Sequence, residues 1–447
     1  MISAHLTVFS FVSIAVVLAM YGFLIAEKIN RIIVVGIAAF ILVIAQVFKS
    51  AGISSQTGAF SFVANNLDVL GFIIGMMVLV GIVKESGVFE AIAIWLVKKV
   101  KGRPRLLLFV MGYLALFMTA FLSNIPTVLI LTPLILVLIK ELKLPALPFF
   151  LMVITMANIG GAMTPISDPT TYYQAKTMGL SFGQVVENSG IIVLALSVVA
   201  QVYMQLIFSK QLKAVTVDPE TIAQFNPAAA IKDKKILKIG VPMLALAVIL
   251  MLTKSTIASR TGITLDNASI SLAMAVLGLL IFNRDPKEVV QKVIDWEILF
   301  FFMGLFIVIG SLEQTEVVKA LAAFLVHLSH GSDTILQLLI TMGSGILSMF
   351  IDNVPYNITM VGAIQAMKHA GIYVFPLLWA LNLGTSFGGA GSPIGAACNV
   401  VTLGLAEKEK IHIKFFKYLS YGAPLVIING LVTFTILWLR YGLGHHA

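Results

Sequence analysis

The sequence predicts an all-α, polytopic membrane protein made of two inverted repeats of five crossings each, with one re-entrant helical hairpin and one broken helix per repeat. Three observations predict it: an apolar, charge-poor composition, a series of hydrophobic segments of spanning length, and self-similarity at an offset of 229 residues. Of the 447 residues, 59% are hydrophobic and 11% charged, whereas a soluble domain is roughly half apolar and about a quarter charged. The mean hydropathy is +1.00. These values exclude a disordered chain, a nucleic-acid-binding domain and an ordinary cytosolic enzyme. The one cysteine, Cys398, excludes a disulfide framework or a thiolate-rich metal site.

A membrane helix needs about 20 mostly apolar residues. Candidate spans fall at 8–27, 32–48, 69–84, 189–208, 238–253, 267–283, 296–312 and 418–439. The first lacks the basic start and small-residue cleavage site of a signal peptide. Two apolar segments, 106–140 and 333–367, are too long for one span and carry polar residues and a proline at their middles: Ser123-Asn124-Ile125-Pro126 and Asp352-Asn353-Val354-Pro355. Each reads as a hairpin that enters and leaves by one face. Segments 146–178 and 372–405 run apolar, then Gly-rich and polar, then apolar again, and read as broken helices that cross. Stretches 88–101 and 316–330 are amphipathic and suit the interface.

The resulting topology places 23 of the 30 Lys and Arg on one side. By the positive-inside rule that side is the cytoplasm, of an inner membrane, and both termini lie outside. The hydrophilic stretch 209–237, with Asp218-Pro219-Glu220, divides the chain near its middle and reads as a solvated cytoplasmic linker between repeats 1–208 and 238–447.

At the 229-residue offset Gly75 meets Gly304, Gly81 meets Gly310, Asn124 meets Asn353 and Pro126 meets Pro355. At 224, Asn158-Ile159-Gly160 meets Asn382-Leu383-Gly384; four extra residues then bring Thr164-Pro165-Ile166 onto Ser392-Pro393-Ile394. Five crossings per half, an odd number, invert one copy relative to the other. Inverted repeats with discontinuous helices at matching positions mark a secondary transporter with a site at the bilayer midplane. Broken backbone is tolerated there only where protein buries it or it lines a cavity.

The breaks supply the candidate site. Ser123 or Asn124 can cap the returning arm of the first hairpin, with Pro126 in its first turn; Asp352, Asn353 and Pro355 do the same in the second. The helix starts aim positive dipole ends at the midplane. The first pieces of the broken helices end near Asn158, Gly160 and Gly161, and near Asn382 and Gly384, where free carbonyls suit a cation. The second pieces restart near Asp168 and near Ser392 or Asn399, where free amides suit an anion. Thr127, Thr164 and Asn357 lie close enough to line the site or to bond helices together. A membrane-interior Asp costs roughly 2.5–3.5 kcal/mol on insertion scales, so Asp352 and Asp168 are the candidate coupling carboxylates, carrying H⁺ or favouring Na⁺. The alternative for each is a helix cap alone. No metal beyond Na⁺ and no other cofactor is expected.

These residues resemble the ion transporter superfamily, most closely its arsenite permease, NhaD-type Na⁺/H⁺ antiporter and P-protein branch, with a citrate transporter-like domain. Ile351-Asp352-Asn353-Val354-Pro355-Tyr356-Asn357-Ile358-Thr359-Met360 is similar to the DN-(I/V)-P-(F/Y)-x-x-T-M signature, and Gly395 to Val401 to the segment IG-x-x-A-N-V-V, with Cys398 in place of Ala. Asn158 to Pro169 resembles the NIGG…IGDPPN segment. The first tip departs: Ser123-Asn124 stands where DN is usual, and so resembles the divalent anion/sodium symporters. The resemblance implies a scaffold and a moving substrate-binding bundle, often dimeric. It leaves three secondary-transport readings: inorganic anion or metalloid oxyanion movement first, then Na⁺/H⁺ exchange and Na⁺-coupled di- or tricarboxylate uptake. A passive channel is the competing class. No nucleophile constellation for an enzyme and no nucleotide-binding motif is present, so ATP would require a separate subunit.

Overall fold

The computed structural model describes residues 5–26, 28–49, 52–101, 103–215 and 226–442, with only the backbone of Ser255. Residue 27 and Asp218-Pro219-Glu220 lie outside the described residues. The elements among those described are helices. The first half runs α1 (Val8–Ala26), α2 (Arg31–Ile44), α3 (Ser55–Ala64), α4 (Leu67–Glu85), α5 (Val88–Lys99), α6 (Pro104–Leu122), α7 (Asn124–Glu141), α8 (Ala146–Gly160), α9 (Pro169–Met178) and α10 (Phe182–Ile207). A short α11 (Ser209–Lys213) follows. The second half runs α12 (Lys234–Thr261), α13 (Asn267–Ile281), α14 (Pro286–Lys292), α15 (Trp296–Gln314), α16 (Val317–Leu328), α17 (Asp333–Ser348), α18 (Asn353–His369), α19 (Phe375–Gly389), α20 (Ala397–Lys408) and α21 (Phe415–Gly442). Eight helices among the described residues are long and apolar enough to cross a membrane. Large apolar side chains on the outer faces of these and of the shorter apolar helices, such as Phe11, Phe40, Val198 and Leu280, stay exposed, as a lipid-facing surface requires.

Each element of the first half has its counterpart, in order, in the second. The packing is reciprocal as well. Helix α4 packs on α13 and α15 packs on α2. A Cβ added at Gly75 would stand 2.5 Å from Ser271 Oγ, and one at Gly304 2.8 Å from Val35 Cγ1. The repeated glycines are therefore close-approach points, each serving its half against the other half.

The hairpin and break positions fall where the polar-proline signals lie: α6 turns into α7 at Ser123, and α17 into α18 across 349–352. Both arms of the first hairpin are also long and apolar enough to span alone. Helices α3 and α14 were not evident in the sequence, being short and mixed in polarity.

The repeat alignment at the broken helices needs correction. The helix restarts match at an offset of 228, and the limits of α8 and α19 fall within one residue of that register. A Cβ at Gly160 would stand 2.8 Å from Leu116 O and one at Gly388 2.5 Å from Gly345 O, so Gly388 is the counterpart of Gly160, not Gly384. The offset of 224 is a slip of about one helical turn, which keeps the same face. Asn382 and Gly384 consequently lie inside α19, which ends at Gly389, and the second piece restarts at Ala397 rather than at Ser392.

The linker is more than solvated chain. Its 3₁₀ turn Pro227–Ala230 packs on α5, and Lys232 N–H donates to Ser86 O at 2.9 Å. Gly87, at φ +74°, faces Ala230 O with no room for a side chain.

Candidate functional site

A cavity of about 690 Å³ lies where the hairpin tips and helix restarts meet. Of the expected site residues, Ser123, Asn124, Pro126, Asp168, Asp352 and Asn353 line it. Apolar walls come from Phe72 and Met76 of α4 and from Phe301 and Phe302 at α15. The cavity runs outward past Arg31, Lys84, Lys232 and Lys292, all in segments expected on one membrane side, with Glu85, Glu90 and Asp295 among them. Sequence reasoning missed this charged mouth. The series Phe72, Met76, Val80, Lys84, four residues apart, winds slowly round α4 and supplies its wall.

Four helix N-termini approach the cavity and they differ in pairs. Asp352 Oδ1 caps α18 by accepting from Val354 N–H at 2.9 Å. Asp168 Oδ1 caps α9, accepting from Thr170 N–H at 2.9 Å and Thr170 Oγ1 at 2.7 Å. Helices α7 and α20 have no side-chain cap. Helix α9 packs on α18, and α7 on α20. The cavity thus has a carboxylate side and an uncapped, positive-dipole side.

Ser123 occupies the cap position of α7 without capping it, because its backbone sits at φ 66°, ψ 169°, a region that is essentially glycine-only. Its carbonyl instead accepts from Thr127 Oγ1 at 2.7 Å. Asn124 Oδ1 accepts from Ile125 N–H at 3.1 Å. The Ser123 hydroxyl and the Asn353 amide, the latter 7% exposed, have no hydrogen-bond partner among the described residues.

The remaining expected residues lie behind this layer. Pro355 is buried, and its carbonyl accepts from Thr359 Oγ1 at 2.8 Å. Asn357 Nδ2 donates to Thr385 Oγ1 at 3.2 Å. Gly160 and Gly384 pack against α6 and α17. Asn382 accepts from Thr171 Oγ1 at 2.9 Å and donates to Ser189 Oγ at 3.2 Å. Asn158 Nδ2 donates to Asn399 Oδ1 at 2.9 Å. Each broken helix thus holds the restart of the other.

The break carbonyls expected to be free are occupied. Gly161 O accepts from Ser167 Oγ at 2.6 Å and from Thr171 Oγ1 at 3.1 Å. Gly389 O and Ser392 O accept from Asn399 Nδ2 at 2.7 and 2.8 Å. Even the ties to the hairpins repeat: Thr164 Oγ1 donates to Ala120 O at 2.7 Å, and Ser392 Oγ donates to Met349 O.

Opposite the mouth the structure is closed. Phe72 and Tyr172 stack with ring centroids 4.0 Å apart, and Tyr173 stacks on Phe306 at 5.7 Å. One turn further out, Lys176 Nζ donates to Asp68 Oδ1 at 2.6 Å, Asn65 O at 2.6 Å and Asn66 Oδ1 at 3.1 Å.

The sequence model described as Citrate transporter (CitMHS) matches residues 21–384. The chain belongs to this family. It is a multi-pass membrane transporter of the ion transporter superfamily. It is 30% identical over 445 residues to the 46 kDa membrane protein of Mycobacterium leprae, covering 97% of this chain and 99% of the relative. Human P protein is 22% identical over 441 residues, 81% of this chain and 52% of that protein. Among solved structures it resembles the YdaH transporter of Alcanivorax borkumensis, with a TM-score of 0.59, 13% identity and coverage of 97% and 98%. It also resembles MtrF of Neisseria gonorrhoeae, with a TM-score of 0.56, 12% identity and coverage of 94% and 97%. These two likenesses concern the fold alone.

Proposed function

We propose that this protein is a secondary active transporter that moves a small anion across the cytoplasmic membrane, coupled to a cation, with the substrate held in the cavity between the hairpin tips. The observation that carries this reading is the cavity itself. It opens past a mouth of mixed charge, ends at a closed aromatic layer, and has two uncapped helix starts facing two Asp-capped ones. Uncapped helix starts, the Ser123 hydroxyl and the Asn353 amide supply donors for an anion. Asp168 and Asp352 supply the groups whose charge a coupling cation would compensate.

The substrate order expected from sequence is reversed here. A volume of about 690 Å³ lies in the range of small-molecule sites, well above that of a bare ion. Together with the citrate transporter family match, it favours a di- or tricarboxylate over an inorganic oxyanion. Na⁺/H⁺ exchange alone would leave the uncapped helix starts without a role. The topology that goes with this reading has repeats 1–208 and 238–447 inverted about a cytoplasmic linker 209–237, with both termini outside.

Purified protein would be melted with citrate, succinate, phosphate, sulfate and arsenite at two pH values, then assayed for flux in proteoliposomes. A ligand that binds the native state raises the apparent melting temperature by mass action. The reading expects a saturable shift with one anion and a pH- or cation-gradient-driven flux of the same anion. Flux of Na⁺ against H⁺ with no anion effect would replace it.

A further inference from the structure

We infer that Asn399 and Ser167 are built-in occupants of the two positions where a discontinuous-helix transporter would hold Na⁺, so that neither helix break binds a cation. Unwound carbonyls at such breaks are the usual cation ligands. The two breaks present equivalent carbonyl pairs, Gly161 with Thr164 and Gly389 with Ser392, at an offset of 228. In the second break one amide, Asn399 Nδ2, spans the pair at 2.7 and 2.8 Å. In the first, Ser167 Oγ lies between the pair at 2.6 and 2.5 Å, and its one proton can go to only one carbonyl at a time.

The residue types compensate. The counterpart of Ser167 is Gly395, which has no side chain, and there the longer Asn399 reaches both carbonyls. The counterpart of Asn399 is Thr171, which needs only to support Ser167 at Gly161 O. A carbonyl offers two lone pairs. Backbone donors take further ones: Ser167 N–H on Thr164 O at 3.2 Å and Gly395 N–H on Ser392 O at 3.4 Å. Thr164 and Ser392 thus each have a backbone donor, while Gly161 O shares the Ser167 and Thr171 hydroxyl protons with Thr164 O and Asn382 Oδ1. Asn399 and Ser167 are fully buried. The amide orientation of Asn399 is fixed by its neighbours: its Oδ1 accepts from Asn158 Nδ2, and a flipped amide would set oxygen against two carbonyls.

This rests on the transporter reading only for its consequence, that any coupling cation must be met at Asp168 and Asp352 instead. The test is the melting temperature of the purified full chain in NaCl against choline chloride at constant ionic strength. Wild type should show no Na⁺-specific shift that depends on Asn399 or Ser167. Asn399→Asp sets a carboxylate against the carbonyl pair; it should melt well below wild type in choline and recover saturably with Na⁺. Asn399→Leu should melt low in both salts. Ser167→Gly, a milder change, guards against a variant that does not fold. A saturable Na⁺ shift in wild type that Asn399→Leu or Ser167→Gly abolishes would overturn the inference. A failed transporter reading would appear separately, as no anion flux at any salt composition, and would leave these melting curves unchanged.

Discussion

Single positions at the cavity separate structural from functional demands. Ser123 holds a backbone conformation that costs of order 1–3 kcal/mol for a non-glycine residue, at a tip where its hydroxyl faces the cavity. Ser123→Gly should therefore raise the apparent melting temperature while lowering anion flux. A fall in both would mean that the hydroxyl stabilises the tip itself. The two aspartates can be resolved similarly. Asn caps a helix about as well as Asp, whereas Ala loses about 1 kcal/mol. Asp352→Asn and Asp168→Asn should melt near wild type and lose coupled flux; the Ala variants should also melt lower. Coupled flux that survives both Asn variants would reduce the carboxylates to caps.

At the level of elements, the sequence reveals what hydrophobic length and proline breaks encode. Six of the eight expected spans appear as helices long enough to cross, with limits shifted by up to eight residues, while 32–48 and 267–283 fold as helices of 14 and 15 residues; the helices break at both polar-proline signals. Register within a Gly-rich apolar helix was less legible, because a four-residue slip preserves the helical face; hence the misplacement of Asn382 and Gly384. Occupancy of the break carbonyls was hidden for another reason: Ser167, Thr171 and Asn399 meet them only after the chain folds back. The charged mouth draws Arg31, Lys84, Lys232 and Lys292, with Glu85, Glu90 and Asp295, from separate segments of the chain that meet only in the fold. The repeated glycines allow a graded test. A Cβ at Gly75 meets the backbone of Ser271 and Leu272, while one at Gly310 meets only the Phe62 ring. Gly75→Ala should lower the melting temperature more than Gly310→Ala, since a side chain can rotate away and a packed helix backbone cannot. Equal losses would mean that Phe62 is as immobile as the α13 backbone.

Across the whole molecule, access is one-sided. Helix α4 carries the sequence of environments along its length: Asp68 in the ion pair, Phe72 in the aromatic stack, Met76 and Val80 on the cavity wall, Lys84 at the mouth. On α9 the partners Tyr172 and Lys176 are likewise one turn apart. All three ammonium protons of Lys176 have acceptors, so this contact has a defined geometry despite being partly exposed. On the transport cycle proposed above, opening the cavity to the other side would part α9 from α4, with this pair as the outermost contact to break. A cysteine at Met76 reports the event against a quiet background, since the native Cys398 is fully buried. An impermeant thiol reagent applied from the Asp68 side should label Met76→Cys slowly. Adding Asp68→Asn or Lys176→Gln should speed labelling several-fold, and the charge exchange Asp68→Lys with Lys176→Asp should restore slow labelling. Unchanged labelling in the single variants would mean that the aromatic layer closes this side by itself, and that Lys176 and Asp68 only decorate its rim.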